Sequence, residues 1–214
     1  MKKPRVLLAD DHTFVLEGFK KLLEEQCDLV GFVEDGRTLV EVAVQLQPDL
    51  VILDISMPRL NGIEAAKKLR KQLPRVKLIF VTMHADSAYV NEAFKAGASG
   101  YLLKRSAATE LVQAVQSAMS DHFYVTPLIA KDVVTSFLKP GLAPLPTIDD
   151  LTARQREILQ LTAEGFSAKE IADQLKISHR TVEFHKAKVM EQLDFHTTAD
   201  LVKYAIAHGL VTPS

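Results

Sequence analysis

Five polar residues each follow a short apolar run, and their types suggest one chemistry. Asp10 and Asp11 stop Val6-Leu7-Leu8-Ala9, Asp54 stops Leu50-Val51-Ile52-Leu53, Thr82 closes Ile79-Phe80-Val81, and Lys104 follows Tyr101-Leu102-Leu103. If the runs are strands of one parallel sheet, three carboxylates, a hydroxyl and an ammonium converge on the carboxyl edge, where open α/β sheets bind ligands. Carboxylates that close repel one another, and a bound cation relieves them. Oxygen ligands that leave room for water suit Mg²⁺ better than Zn²⁺ or Ca²⁺. A carboxylate beside Mg²⁺ can attack phosphorus and become an aspartyl phosphate. The metal would neutralise the phosphoryl oxygens, Lys104 would add a second positive charge, and Thr82 would hydrogen-bond the transferred group.

The elements that must position these residues are legible in order. Strands are expected at Arg5–Ala9, Leu29–Val33, Leu50–Asp54, Lys77–Thr82 and Gly100–Leu103, the third being a continuous apolar run buried on both faces. Helices separate them. Thr13 is expected to cap the first, Leu39 to Leu46 mark the second, Asn61-Gly62 opens the third, Asp86 or Ser87 caps the fourth, and Ser106 caps the fifth. Five alternating units predict a five-stranded, doubly wound parallel sheet with helices on both faces.

At 214 residues the chain has room for one full core and a second, smaller one. The formal net charge of −1 gives no global attraction to nucleic acid, so any such function must rest on local charge. The lone Cys27 cannot form an internal disulfide, and no apolar run reads as a signal peptide or membrane span. A cytoplasmic protein with no membrane partner is expected.

After the fifth unit, Thr126-Pro127 starts a helix running to Leu138, and Lys139 to Thr147 carries three prolines and reads as a semi-rigid spacer. Four capped helices follow. Thr152 to Gln155 and Ser167 to Glu170 are capping boxes, Ser178 caps the third helix, and Thr197 with Asp200 opens the last. The short Lys176-Ile177-Ser178 link makes the middle pair a helix-turn-helix. In the helix after Ser178, Val182, His185, Val189 and Leu193 share an inner face, while Arg180, Glu183, Phe184, Ala187 and Lys188 point outward. Lys186 lies near the seam. From Lys176 to Lys188 the bases Lys176, Arg180, Lys186 and Lys188 outnumber Glu183, which suits phosphate contacts. Outward Phe184 can meet a thymine methyl, and Glu183 can accept from a cytosine amino group. An amphipathic helix with a solvated charged face remains the alternative.

Both halves resemble known families. Residues 1 to about 125, through Leu8-Ala9-Asp10-Asp11-His12, Leu53-Asp54-Ile55-Ser56-Met57-Pro58, Asn61-Gly62, Val81-Thr82, Gly97-Ala98 and Gly100 to Lys104, resemble the receiver domain of bacterial two-component response regulators, a flavodoxin-like fold. The resemblance implies phosphorylation of Asp54 by a histidine kinase, and Mg²⁺ held by Asp10, Asp11, Asp54 and the Ser56 carbonyl. It also implies a switch in which Thr82 moves toward the phosphoryl group and Tyr101 turns inward. One departure concerns Lys104: many receivers follow it with proline, often in cis, whereas Arg105 stands here, so the lysine must be held some other way. Residues from Leu151 to Val211 resemble the LuxR-type (NarL/FixJ) helix-turn-helix domain, through Leu151 to Leu159, Ala163-Glu164-Gly165, Lys169 to Ala172 and Ser178 to His185. That implies a major-groove helix reading double-stranded DNA as a homodimer, with Lys176, Ser178, Arg180, Thr181, Glu183, Phe184, Lys186 and Lys188 as candidate contacts.

The domains are thus expected at 1–125 (receiver), 126–149 (helix and spacer) and 150–214 (DNA-binding). The function expected is a phosphorylation-switched transcription factor, not an enzyme. Phosphatases with an aspartate nucleophile are the rival, and they usually carry a second acid where this chain has Ser56. An interaction module that no longer takes phosphate is the other rival.

Overall fold

The computed structural model describes residues 3–138, 151–207 and 210–211. It divides into two compact units, Met1–Pro140 and Gly141–Ser214.

The first unit is a parallel sheet with strands in the order β2-β1-β3-β4-β5-β6. The strands are β1 (Arg5–Ala9), β2 (Asp28–Val33), β3 (Leu50–Leu53), β4 (Lys77–Thr82), β5 (Gly100–Leu103) and β6 (Tyr124–Val125). Because side chains alternate along a strand, β3 divides its apolar residues between two cores. Val51 and Leu53 join one, with Leu39 and Ala43 of α2 (Gly36–Leu46), Ala65, Ala66 and Leu69 of α3 (Gly62–Gln72), and Val90 and Ala93 of α4 (Ser87–Lys95). Leu50 and Ile52 join the other, with Leu16, Phe19 and Leu23 of α1 (Thr13–Leu23) and Leu111, Ala114 and Ala118 of α5 (Ala107–Met119). The sheet is therefore sandwiched between helices, and its carboxyl edge is left open at the strand ends.

Three details differ from the sequence reading. The sheet has six strands rather than five. Tyr124–Val125 pairs with Gly100 and Tyr101 along the free edge of β5, and a two-residue strand before Pro127 has no periodicity to announce it. Thr13 is the first helical residue and not a cap. His12 takes the N-cap position without a side-chain capping bond, and the Asp10 carboxylate meets both its N–H at 2.9 Å and its Nδ1 at 3.1 Å. Ser106 likewise makes no capping bond, because Lys104–Ser106 form a 3-10 turn before α5. The Asn61 and Asp86 caps form as expected, each accepting a backbone N–H. Helix α6 (Pro127–Leu138) packs against α4 within this unit and buries Ile129. The proline-bearing spacer falls outside the described residues.

The second unit consists, among the described residues, of α7 (Ala153–Ala163), α8 (Ala168–Leu175), α9 (His179–Gln192) and α10 (Thr198–Ala207). Both expected capping boxes form reciprocally, at Thr152/Gln155 and Ser167/Glu170. Thr197 and Asp200 exchange the same pair of bonds before α10. One core gathers Leu159, Val189, Leu193 and Leu201, and a second gathers Ile158, Leu161, Ile171, Leu175 and Val182.

Candidate functional site

The strand ends deliver their polar residues into one crevice. Backbone ladders run past the last strand residues, with Asp10 N–H donating to Val33 O at 3.1 Å and Asp54 N–H to Ala9 O at 2.9 Å, so both acids sit at fixed heights. Both are almost fully buried, at 1% and 3% exposure. Gly62 makes room beneath them. A Cβ there would lie 2.0 Å from the Asp54 carbonyl oxygen, so only glycine lets the start of α3 approach the acid's backbone.

Lys104 closes the crevice from β5. Its Nζ stands 2.7 Å from Asp54 Oδ2 and 2.8 Å from Asp10 Oδ2. Burial by itself would lower the ammonium's pKa, but Asp54 and Asp10 together hold it above the ordinary lysine value. Asp10 is pushed above the ordinary carboxylate value, first by burial and also by the Asp54 charge, with Lys104 opposing both. One ammonium thus does not fully offset the burial of Asp10. The other Asp54 oxygen, Oδ1, accepts the Ile55 N–H at 2.6 Å, which fixes the carboxylate's rotation.

Asp10, Asp11, His12 and Asp54 bring ligand atoms within 4.8 Å of one another. Asp11 Oδ1 is buried without a hydrogen bond, with His12 Nδ1 2.8 Å away. A buried acid with a raised pKa and an unserved carboxylate oxygen are what a hard divalent cation would relieve, so the donor set fits Mg²⁺. Ser56 lies in the following loop. There its Oγ shares a 2.8 Å hydrogen bond with His84 Nε2.

Thr82 is fully buried, and its Oγ1 accepts the His84 N–H at 3.4 Å. Tyr101 is also fully buried and donates its hydroxyl to the His84 carbonyl at 2.9 Å. Burial pushes its phenol well above the ordinary range, so it remains a donor. The ring is thus already inward here. His84 meets Thr82, Tyr101 and Ser56, and its ring stacks on Tyr89 at 4.2 Å. Its importance, like that of His12, was not legible: a histidine two residues past a strand has no spacing signature, and only the folded loops bring it to Ser56. All described peptides are trans, so the segment Lys104-Arg105 holds the lysine without a cis bond.

In the second unit α9 divides its residues as the 100° wheel requires. Val182 and Val189 are buried, His185 and Lys186 are half-buried, and Arg180, Glu183, Phe184 and Lys188 are exposed. Phe184 is 58% exposed on a charged face, which packing does not explain. Lys188 is already paired within the helix with Glu191 at 2.6 Å, and His179 Nε2 lies 3.9 Å from Glu183. Lys176 has a structural role beyond its charge. It takes the left-handed conformation (φ 53°) at the end of α8 and makes the tight turn to Ser178, whose Oγ accepts the Thr181 N–H.

A receiver-type acidic crevice and a helix-turn-helix unit define a class of signalling proteins, and comparison with known proteins agrees. Residues 6–116 match the response regulator receiver domain, and residues 149–205 match the family of bacterial regulatory proteins, luxR family. The transcriptional regulatory protein MctR of Rhizobium johnstonii is 34% identical, over 98% of this chain and 96% of its own. The oxygen regulatory protein NreC of Staphylococcus carnosus is 33% identical, over 97% and 99%. Among solved structures, RcsB of Salmonella typhimurium superposes with a TM-score of 0.66 at 29% identity, covering 97% of this chain and 98% of that one. A structure of two RcsB dimers bound to two parallel DNAs gives 0.61 at 28% identity, covering 95% and 98%. The chain belongs to the two-component response regulators with a LuxR-type helix-turn-helix output domain. Its relatives are transcriptional regulators rather than enzymes. No helix among the described residues is long and apolar enough to cross a membrane.

Proposed function

We propose that Asp54 accepts a phosphoryl group from a histidine kinase and that this event promotes dimeric DNA binding by the second unit, regulating transcription from the cytoplasm. The observation that carries the reading is the crevice: one buried carboxylate held in rotation by Ile55 N–H and touched by Lys104, beside two further acids. Asp10, Asp11, Asp54 and the Ser56 carbonyl are the proposed holders of Mg²⁺, which would supply positive charge to the phosphoryl oxygens. Asp54 acts as the nucleophile and Lys104 as the fixed countercharge. Thr82 donates to the transferred group, and the hydrogen bond from Tyr101 to the His84 carbonyl favours the loop position that lets Thr82 do so. The proposed division is residues 1–125 as receiver, 126–149 as connecting segment and 150–214 as DNA reader.

In the reader, Lys176, Arg180, Lys186 and Lys188 are assigned to phosphates, with Ser178 and Thr181 at the start of α9 beside them. Glu183 and Phe184 are assigned to base edges. The exposure of Phe184 supports that assignment, as does likeness to a regulator solved as DNA-bound dimers. The test is unbiased selection from random duplex DNA with Mg²⁺, comparing protein activated by beryllofluoride with Asp54→Ala. Enrichment of a two-fold symmetric sequence by the activated form alone supports the switch and the dimeric reader. Equal enrichment by both forms overturns phosphorylation control.

A further inference from the structure

Because Arg105 stands where many receivers have a proline after the matching lysine, something else must hold the end of β5, and the sixth strand offers it. Thr126, the residue after β6, is fully buried. Its N–H donates to the Tyr101 carbonyl at 3.0 Å. Its Oγ1 accepts the Leu103 N–H at 3.1 Å and donates to Glu110 Oε2 of α5 at 2.8 Å. One side chain therefore joins β5, β6 and α5 at the residue directly before Lys104, with each of its polar groups satisfied.

We propose that Thr126 is the positioning residue for Lys104, acting through the Leu103 amide, with Glu110 orienting its hydroxyl. The inference rests on reading Asp54 as the phosphoacceptor. Free to shift, β5 would let the ammonium leave its 2.7 Å contact with Asp54 Oδ2. The Thr126 clasp prevents that, because moving Leu103 would strand a buried N–H and a buried hydroxyl together. The same residue opens α6, whose Ile129 is buried in the core shared with α4 and whose backbone N–H bonds the Thr126 carbonyl at 3.1 Å. Thr126 therefore connects the end of β5 to α6 as well as to α5.

Full-length Thr126→Val keeps the shape and deletes the hydroxyl, and Thr126→Ser restores it. Two measurements are made on each: the rate of Asp54 labelling by acetyl phosphate with Mg²⁺, and amide hydrogen exchange resolved by residue. Thr126→Val is expected to label about fivefold more slowly, the rate equivalent of one hydrogen bond. Exchange should rise at Leu103 and Lys104 while Leu8 and Ile52 stay protected, and Thr126→Ser should recover both readouts. Labelling at the wild-type rate with unchanged exchange overturns the proposal. Slow labelling with exchange raised throughout the sheet and no recovery in Thr126→Ser also overturns it, because that is general destabilisation. If wild type takes no phosphoryl group, the reading of Asp54 fails instead, and exchange at Leu103 and Lys104 still decides the clasp.

Discussion

Lys104 Nζ bridges Asp54 Oδ2 and Asp10 Oδ2 at 2.7 and 2.8 Å, so one ammonium just past the end of β5 touches acids delivered by β3 and β1. All three side chains are less than a tenth exposed, and removing the lysine leaves two buried, uncompensated carboxylates.

Lys104→Ala should therefore lower the stability of the metal-free first unit by roughly 3 kcal/mol, as for other broken buried pairs. Mg²⁺ should stabilise the variant more than wild type, since the cation replaces the missing charge. Urea unfolding with and without Mg²⁺ measures both effects. Equal stabilisation by Mg²⁺ would show that the metal is held away from Asp10 and Asp54.

Gly62→Ala places a Cβ 2.0 Å from the Asp54 carbonyl oxygen, a distance real Cβ atoms do not reach. The loop must move, at a cost of about 1–3 kcal/mol typical of overpacking. Asp54 labelling should fall with stability. Retention of both would mean that α3 shifts as a body without disturbing the acid.

Tyr101→Phe deletes the hydroxyl bonded to the His84 carbonyl and leaves the ring in its core beside Phe80. A loss of about 1 kcal/mol is expected. Tyr101→Ala should cost about 3–5 kcal/mol by leaving a cavity. Comparing the beryllofluoride affinity of Tyr101→Phe with wild type tests the coupling: unchanged affinity would separate the inward tyrosine from the switch.

In the second unit, Phe184→Ala should change the sequence selected while leaving the melting temperature within a degree or so, because an exposed side chain contributes little to folding. Lys188→Ala should weaken binding evenly across sequences and reduce the salt slope by about one. An unchanged slope would place Lys188 away from phosphate, consistent with its pairing to Glu191.

The Thr197 hydroxyl and N–H hold Asp200 below the ordinary carboxylate range. A depressed folded-state pKa contributes stability that is present above the unfolded value and lost as pH falls through the folded one. Wild type should exceed Asp200→Asn in stability at neutral pH, and the difference should shrink under acid. A difference independent of pH would show that the cap works without its charge.

What the sequence by itself determined follows from local rules. Apolar runs stopped by Asp10, Asp54 and Lys104 read as buried strands presenting polar ends, and the boxes at Thr152, Ser167 and Thr197 needed only neighbours three residues away. The wheel that put Phe184 outside and Val182 inside is likewise a local rotation. Tertiary structure alone decided what joins distant segments. Ser56 meets His84 across 28 residues, and Thr126 meets Leu103 and Glu110 across 23 and 16. Tyr101 lies inward with its hydroxyl on the His84 carbonyl, 17 residues away in sequence. The sixth strand pairs along the otherwise open edge of β5, a backbone contact between segments more than twenty residues apart.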